Sequence, residues 1–335
     1  MKILVTGAAG LVGGALCEQL MARGHRVTAL VHRATAICGN DGQPVEGVTL
    51  LPGDVRRPGF GLATIPDVDL VIHSAAVTAF DAPEELYAAV NTGGARNAAA
   101  LGLPLLHVST AYVCGIRDGR IGEDETGSEF VNGYEASKAA GEAMVRAVMA
   151  KGLPAAIARP SIIVGDWANG AIRSFDNIYM LFRLIAEGRV RTLPAAPGAS
   201  LDLVPIDHVT GSLVAMAEDF GRFAGKTLHL VGSQPQPLTV LGEAVAGFPG
   251  LGRPQFVAAD GFDPAALPPI ERRYHAAAAA LYTAYLQRGP RFDTKVAGVL
   301  LPACPPCDAE WVSRLIGHCL EQGFVRAREP QRISG

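Results

Sequence analysis

The stretch TGAAGLVG (6–13) constrains the fold most, because it joins a short apolar strand, KILVT, to a helical stretch, LVGGALCEQLMARG. A glycine loop that closes a strand and opens a helix has three physical jobs. One glycine permits the tight turn, another lets backbone amides approach a pyrophosphate, and a third lets helix and strand pack closely. The spacing here is GxxGxxG, with Gly7, Gly10 and Gly13 in those places. The helix start adds aligned N–H groups and a partial positive charge. Thr6, Leu11 and Val12 complete the expected cradle.

Beyond the loop, short apolar runs alternate with helical stretches: HRVTALVH, VDLVIHSAA, PEELYAAVNTGGARNAAAL, LPLLHVST and LPAAIARPSIIV. Continuous apolar strands separated by helices predict an α/β fold built on a Rossmann-like, doubly wound parallel sheet. After Val164 the alternation breaks, resumes in VPIDHVTGSLVAMAEDF and KTLHLVG, and changes character again near residue 233, where prolines cluster. The expected division is a dinucleotide-binding domain of residues 1–165 and 202–232, and a smaller, mainly helical substrate lobe of 166–201 and 233–335.

Charged residues make up 18% of the 335, and 29 Lys+Arg against 32 Asp+Glu leave a net charge of −3. Such a chain has no field to gather nucleic acid or an anionic membrane. No apolar run reaches the roughly 18–20 residues of a membrane span, so a cytoplasmic protein is expected. Six cysteines spread over this length read as reduced thiols rather than a disulfide framework.

At the end of the second strand, an NAD-binding chain would place a carboxylate on the ribose hydroxyls. VTALVHR offers His32 and Arg33 instead. A guanidinium suits a 2′-phosphate, which favours NADPH over NAD(H). Further on, NGYEASKAAGE places Tyr134 and Lys138 four residues apart, on one face of a helix. The ammonium is expected to lower the phenol from its usual pKa near ~10 and make it a general acid/base. The strand LLHVST ends in Ser109 and Thr110, at the carboxyl end of a sheet where ligands bind. A hydroxyl there can hydrogen-bond the substrate oxygen that Tyr134 protonates.

TGAAGLVG, YEASK and VSTAYVCG resemble the extended short-chain dehydrogenase/reductases. LPGDVRRPGFGL, VIHSAAVTAFDAPEELYAAVNTGGARN, HVSTAYV, NGYEASKAAGEAMV, GLPAAIARPSIIVGD and LVPIDHV are similar to a narrower branch, the thioester reductase and fatty acyl-CoA reductase (male sterility) group. The similarity runs over about residues 1–217. It implies Thr110, Tyr134 and Lys138 as the catalytic set, Lys138 also holding ribose hydroxyls. It further implies Asp54 and Val55 at the adenine, Ala75 and Ala76 on the cofactor's backbone path, and Asn91 near the active site. Pro160, Ser161 and Ile162 are implied at the carboxamide side of the nicotinamide. Gly141 departs from what a helix would favour there.

The activity this implies is NADPH-dependent reduction of a carbonyl, foremost an acyl thioester delivered on CoA or an acyl carrier protein. Reduction of a free ketone or aldehyde, oxidation of a secondary alcohol, and epimerisation or dehydration of a nucleotide sugar are the alternatives. No metal is expected: CPPC (304–307) with His318 and Cys319 lacks a second CxxC. His73 reads as a strand-end histidine, Asp207 and His208 as a helix start, and EDE (123–125) as a solvated rim. FDNIYMLF and YHAAAAALYTAYL suit an apolar pocket, an ordinary core or a homodimer contact. Arg183, Arg189 and Arg191 read as surface charges.

Overall fold

The computed structural model describes residues 1–327; the last eight residues of the expected lobe lie outside them. Seven strands among the described residues form one parallel sheet: β1 (Lys2–Thr6), β2 (Arg26–Val31), β3 (Thr49–Pro52), β4 (Leu70–His73), β5 (Leu105–Val108), β6 (Ala155–Pro160) and β7 (Thr227–Leu230). Their spatial order is 3-2-1-4-5-6-7. The sheet is the expected doubly wound one, and its order reverses between β1 and β4. At such a point two crossovers leave in opposite directions and open a crevice at the strands' carboxyl ends. β1, β4, β5 and β6 are buried almost throughout, which is why they read as unbroken apolar runs.

The strands differ from those expected in two places. β3 was absent from the expected series because it is four residues long, half-exposed at the sheet edge and closed by Pro52-Gly53. Ile162–Val164 does not extend β6; the chain breaks at Ser161 and this segment pairs in parallel with Leu203–Pro205 in a separate ladder.

The helices that matter are α1 (Leu11–Ala22), α2 (Gly93–Ala99), α3 (Gly133–Met149), α4 (Ile178–Ala186), α5 (Ile206–Glu218), α6 (Leu238–Ala246), α7 (Ala280–Leu286) and α8 (Ala309–Glu321). α1 buries Leu16, Cys17 and Leu20 on the sheet, beside Val209 and Leu213 of α5. α3 begins where the Asn132 side chain accepts the Glu135 N–H at 2.9 Å, a side-chain cap on an otherwise unpaired amide. Gly141 is explained by packing: a Cβ there would stand 2.9 Å from the Asn91 carbonyl oxygen, on the helix that α3 crosses. A second core joins segments 164–203, 238–286 and 307–325 around Trp311, Tyr179, Leu193 and Leu315. No helix among the described residues is long and apolar enough to cross a membrane.

Candidate active site

The glycine loop stands at the β1 end of the crevice. Gly7 has φ +71°, and a Cβ on it would meet the Ala75 amide nitrogen at 2.6 Å. A Cβ on Gly13 would fall 2.2 Å from the Gly7 carbonyl oxygen. Any larger residue at either place would push the loop after β4 away or lift α1 off β1. Gly10 precedes α1, no side chain caps it, and no acidic residue sits in the first turn. The N–H groups at that end therefore remain available to an anion. Arg173, from the long segment after Val164, donates to the loop carbonyls of Gly10 at 2.8 Å and Ala9 at 3.3 Å, setting a guanidinium at the rim.

Of the residues singled out from sequence, Gly7, Gly10, Leu11, Val12, Gly13, Ala75, Ala76, Thr110, Tyr134, Lys138, Pro160, Ser161 and Ile162 line one cavity of about 490 Å³. Thr6 and Asn91, expected at the cofactor, stand behind its wall instead. Thr6 is wholly buried; its hydroxyl meets His73 Nδ1 at 2.8 Å and accepts the Ala75 N–H at 3.3 Å. The Asn91 amide accepts from the Val77 N–H at 2.7 Å and donates to the Val77 carbonyl and to Ser137 Oγ, so it positions the loop after β4. His73 is buried, held far towards the neutral form at about 3, chiefly by burial and then by the Lys138 charge.

His32, Arg33, Asp54 and Val55 lie outside this lining, at the ends of β2 and β3. His32 and Arg33 are exposed. Asp54 is gripped by the Arg56 guanidinium at 2.7–3.0 Å, which holds the carboxyl down near 2. Val55 is half-buried against the sheet, and its carbonyl accepts from Asn97 at 2.8 Å.

The cavity floor carries the hydroxyl and amine groups. Thr110 follows β5; its hydroxyl accepts the Tyr112 N–H at 3.3 Å and donates to the Pro160 carbonyl at 3.3 Å. Lys138 is 4% exposed, and its Nζ donates to the Val108 carbonyl at 2.6 Å. The expected effect of Lys138 on Tyr134 is not what the structure gives. Loss of water pushes the Tyr134 phenol up to about 12, opposed by a hydrogen bond with Thr110. Burial pulls Lys138 down to about 8, opposed by the nearby Glu142 carboxylate. The phenol is thus an acid that keeps its proton at neutral pH.

The buried face of α3 is charged rather than oily, and spacing alone gave no sign of this. Glu142 is met by Arg159 at 2.5 and 3.0 Å and by Arg146 at 2.9 Å. Arg159 is wholly buried and also donates to the carbonyls of Glu123 and Glu125. Glu123 is correspondingly no solvated rim: it is buried and accepts the N–H groups of His229, Val296 and Ala297. Glu135 pairs with Arg288, whose guanidinium lies over the rings of Tyr285 and Tyr112 at 4.6 and 5.1 Å. Those two tyrosines, with Phe80 and Tyr282, also line the cavity. Phe80 and Arg173 were missed, since a lone aromatic or arginine in a loop carries no pattern.

Asp207 and His208 do sit in the first turn of α5. Cys304 and Cys307 face each other at 3.8 Å, and among the described residues no group of three or more His, Cys, Asp or Glu side chains could hold a metal.

Comparison with known proteins decides the family. The NAD-binding profile described as male sterility protein matches residues 5–213. The chain belongs to this family. It is an NAD(P)-dependent oxidoreductase of the extended short-chain type. The chain is 33% identical over 260 residues to 2-alkyl-3-oxoalkanoate reductase of Stenotrophomonas maltophilia, covering 72% of this chain and 73% of that protein. It is 27% identical over 272 residues to the nonribosomal peptide synthetase asaC of Aspergillus flavus, covering 70% of this chain. Against that synthetase the chain spans 26% of the relative's length, and it spans 53% of a probable fatty acyl-CoA reductase of Arabidopsis thaliana. The crystal structure of the terminal R domain from the myxalamid PKS-NRPS pathway matches with a TM-score of 0.82 at 26% identity, covering 98% of this chain and 92% of that one. A UDP-galactose 4-epimerase at 20% identity and TM-score 0.70 shares the fold.

The residues present fit a nicotinamide dinucleotide. Gly7 and Gly13 leave backbone space that a side chain would fill, the α1 start has uncapped amides, and the cavity runs from that loop to Tyr134.

Proposed function

We propose that this chain is an NADPH-dependent reductase of a carbonyl held as an acyl thioester, on CoA or on a carrier protein. The observation that carries the reading is one continuous cavity whose wall includes the glycine loop at one end and Thr110, Tyr134 and Lys138 at the other. Bound there, the dinucleotide supplies a hydride to the carbonyl carbon. The Thr110 hydroxyl, turned from the Pro160 carbonyl to the substrate, donates a hydrogen bond to the carbonyl oxygen as negative charge gathers on it. Tyr134 gives that oxygen its proton, and the Lys138 ammonium, one helical turn on and lining the same cavity, stabilises the phenolate left over. Collapse of the hemithioacetal breaks the C–S bond, and aldehyde and thiol leave. Ser161, held by Asp202 at 2.6 Å, is assigned to the carboxamide end. Segments 166–201 and 233–327 serve as the substrate lobe.

NADPH is preferred because Arg33 has no partner among the described residues and projects from the β2 end where a 2′-phosphate would lie. Arg33→Ala is expected to raise KM for NADPH about 10–100-fold, the loss of one charged hydrogen bond, while KM for NADH changes less than twofold. Equal effects on both cofactors would remove Arg33 from the site.

Reduction of a free ketone is the second reading, supported by the 33% identity to the 2-alkyl-3-oxoalkanoate reductase over nearly three-quarters of both chains. Following NADPH oxidation with acyl-CoA and acyl-pantetheine thioesters beside 3-oxo acids and aldehydes separates the two. Thioester-dependent turnover with release of free thiol is the expected result. Turnover with ketones alone would replace the first reading by the second.

A further inference from the structure

The lobe contains a second cavity, of about 110 Å³, adjoining the catalytic one. Its walls come from α4, α6 and α8 and include Leu241, Val245, Leu315 and Ile316. The lining is apolar almost without interruption. The Tyr179 hydroxyl is already engaged, accepting the Gly165 N–H at 2.8 Å. Like the catalytic cavity, this one is a recess open on one side rather than a sealed void. Its apolar wall offers water few polar partners, so an apolar chain would displace that water favourably.

Position gives the recess a use. Ile178 and Tyr179 line both cavities, so the two meet at the first turn of α4. That turn starts from Asn177, which has φ +51° and ψ −114°, a conformation that costs a non-glycine residue energy and persists where the surroundings enforce it. Asn177 itself faces the catalytic cavity. The strained residue therefore holds the turn that borders both spaces, over which a chain would pass from the reacting carbonyl into the apolar recess.

We propose that this second cavity is the subsite for the apolar tail of the substrate, and that its volume sets chain-length preference. This rests on the reading of the chain as a thioester reductase. An apolar cavity of ~150 Å³ accepts benzene, so the space here suits roughly four or five carbons. Each methylene buried adds about fourfold to kcat/KM until the space is full.

The test is a series of S-acyl-N-acetylcysteamine thioesters, acetyl to decanoyl, assayed by NADPH oxidation with wild type, Leu241→Trp and Leu241→Ala. For wild type, kcat/KM is expected to climb with chain length and then level off. Leu241→Trp fills the cavity and should cut the hexanoyl-to-acetyl ratio at least tenfold, with acetyl turnover within about twofold of wild type. Leu241→Ala enlarges it and should move the plateau to longer chains, which covers the case of a tryptophan variant that does not fold. A flat wild-type profile, or equal losses on acetyl and hexanoyl thioesters, would overturn the subsite. If no thioester is reduced, the thioester reading fails and the subsite is judged by calorimetric titration with the unreactive S-alkyl thioethers of the same series. Affinity that grows with chain length in wild type but not in Leu241→Trp would then sustain it, and affinity independent of chain length would reject it.

Discussion

Tyr134→Phe is expected to lower kcat for carbonyl reduction by about 10²–10⁴-fold, the usual worth of a positioned proton donor. NADPH affinity and Tm should stay close to wild type. The ring keeps its neighbour Phe80, 5.9 Å away between centroids, and only the hydroxyl is lost. Stopped-flow hydride transfer with calorimetric NADPH binding measures both quantities, and an unchanged kcat would remove Tyr134 from the chemistry. The pH dependence follows from which group can change charge near neutrality. The phenol, pushed up to about 12, keeps its proton throughout the working range and suits donation rather than abstraction. Lys138, pulled down to about 8, is charged below that pH and neutral above it. Reductase activity should therefore fall as pH rises through about 8, with the loss of one proton, because the neutral amine no longer stabilises the phenolate formed on transfer. A profile flat through that region would assign the role of Lys138 to something other than its charge.

The parts of this site that could be read in advance are those whose physics is local. Gly7 and Gly13 announce themselves because a turn and a close helix–strand approach each act within a few residues, and α3 delivers Tyr134 and Lys138 to one cavity because four residues make about one turn. The direction of the phenol's shift was misread for a reason that spacing does not carry. Adjacency on a helix says that two groups are near, whereas the outcome here depends on how much water the surrounding walls remove and on Lys138 Nζ turning to the Val108 carbonyl. Glu123 was misplaced in the same way. An acidic run in a loop looks solvated until His229 and Val296, more than a hundred residues later, bring their amides to it. β3 was missed because an edge strand, exposed on much of its surface, lacks the apolar run that marks β1, β4 and β5. The apolar stretches of the lobe were legible as apolar but not as pocket or core, since that choice depends on volumes left between α4, α6 and α8.

Arg288 tests the least local feature of all. It lies 153 residues from Glu135 in the chain, yet their side chains pair, with Glu135 wholly buried and Arg288 nearly so. The pair joins the start of α3 to the residues just after α7. Arg288 also donates to the Gly115 carbonyl and lies between Tyr112 and Tyr285, whose hydroxyl in turn accepts from Asn132, the cap of α3. Replacing a buried pair by apolar groups can be nearly neutral, but removing one partner strands the other's charge in a medium that solvates it poorly. Arg288→Ala should therefore cost about 3–5 kcal/mol. With an unfolding entropy of about 2.1 cal/mol/K per residue, that is a fall in Tm of roughly 4–7 °C for a chain of this length. The double variant Arg288→Met/Glu135→Gln should recover most of it, because no charge is left behind and the methionine keeps some contact with both tyrosines. Differential scanning calorimetry of the two variants separates a charge effect from a packing effect. Equal losses in the single and double variants would mean that the guanidinium acts through its stacking on Tyr112 and Tyr285 alone. If the charge effect holds, kcat in the single variant should fall further than the loss of folded protein explains, since the same pair fixes the end of α3 from which Tyr134 projects.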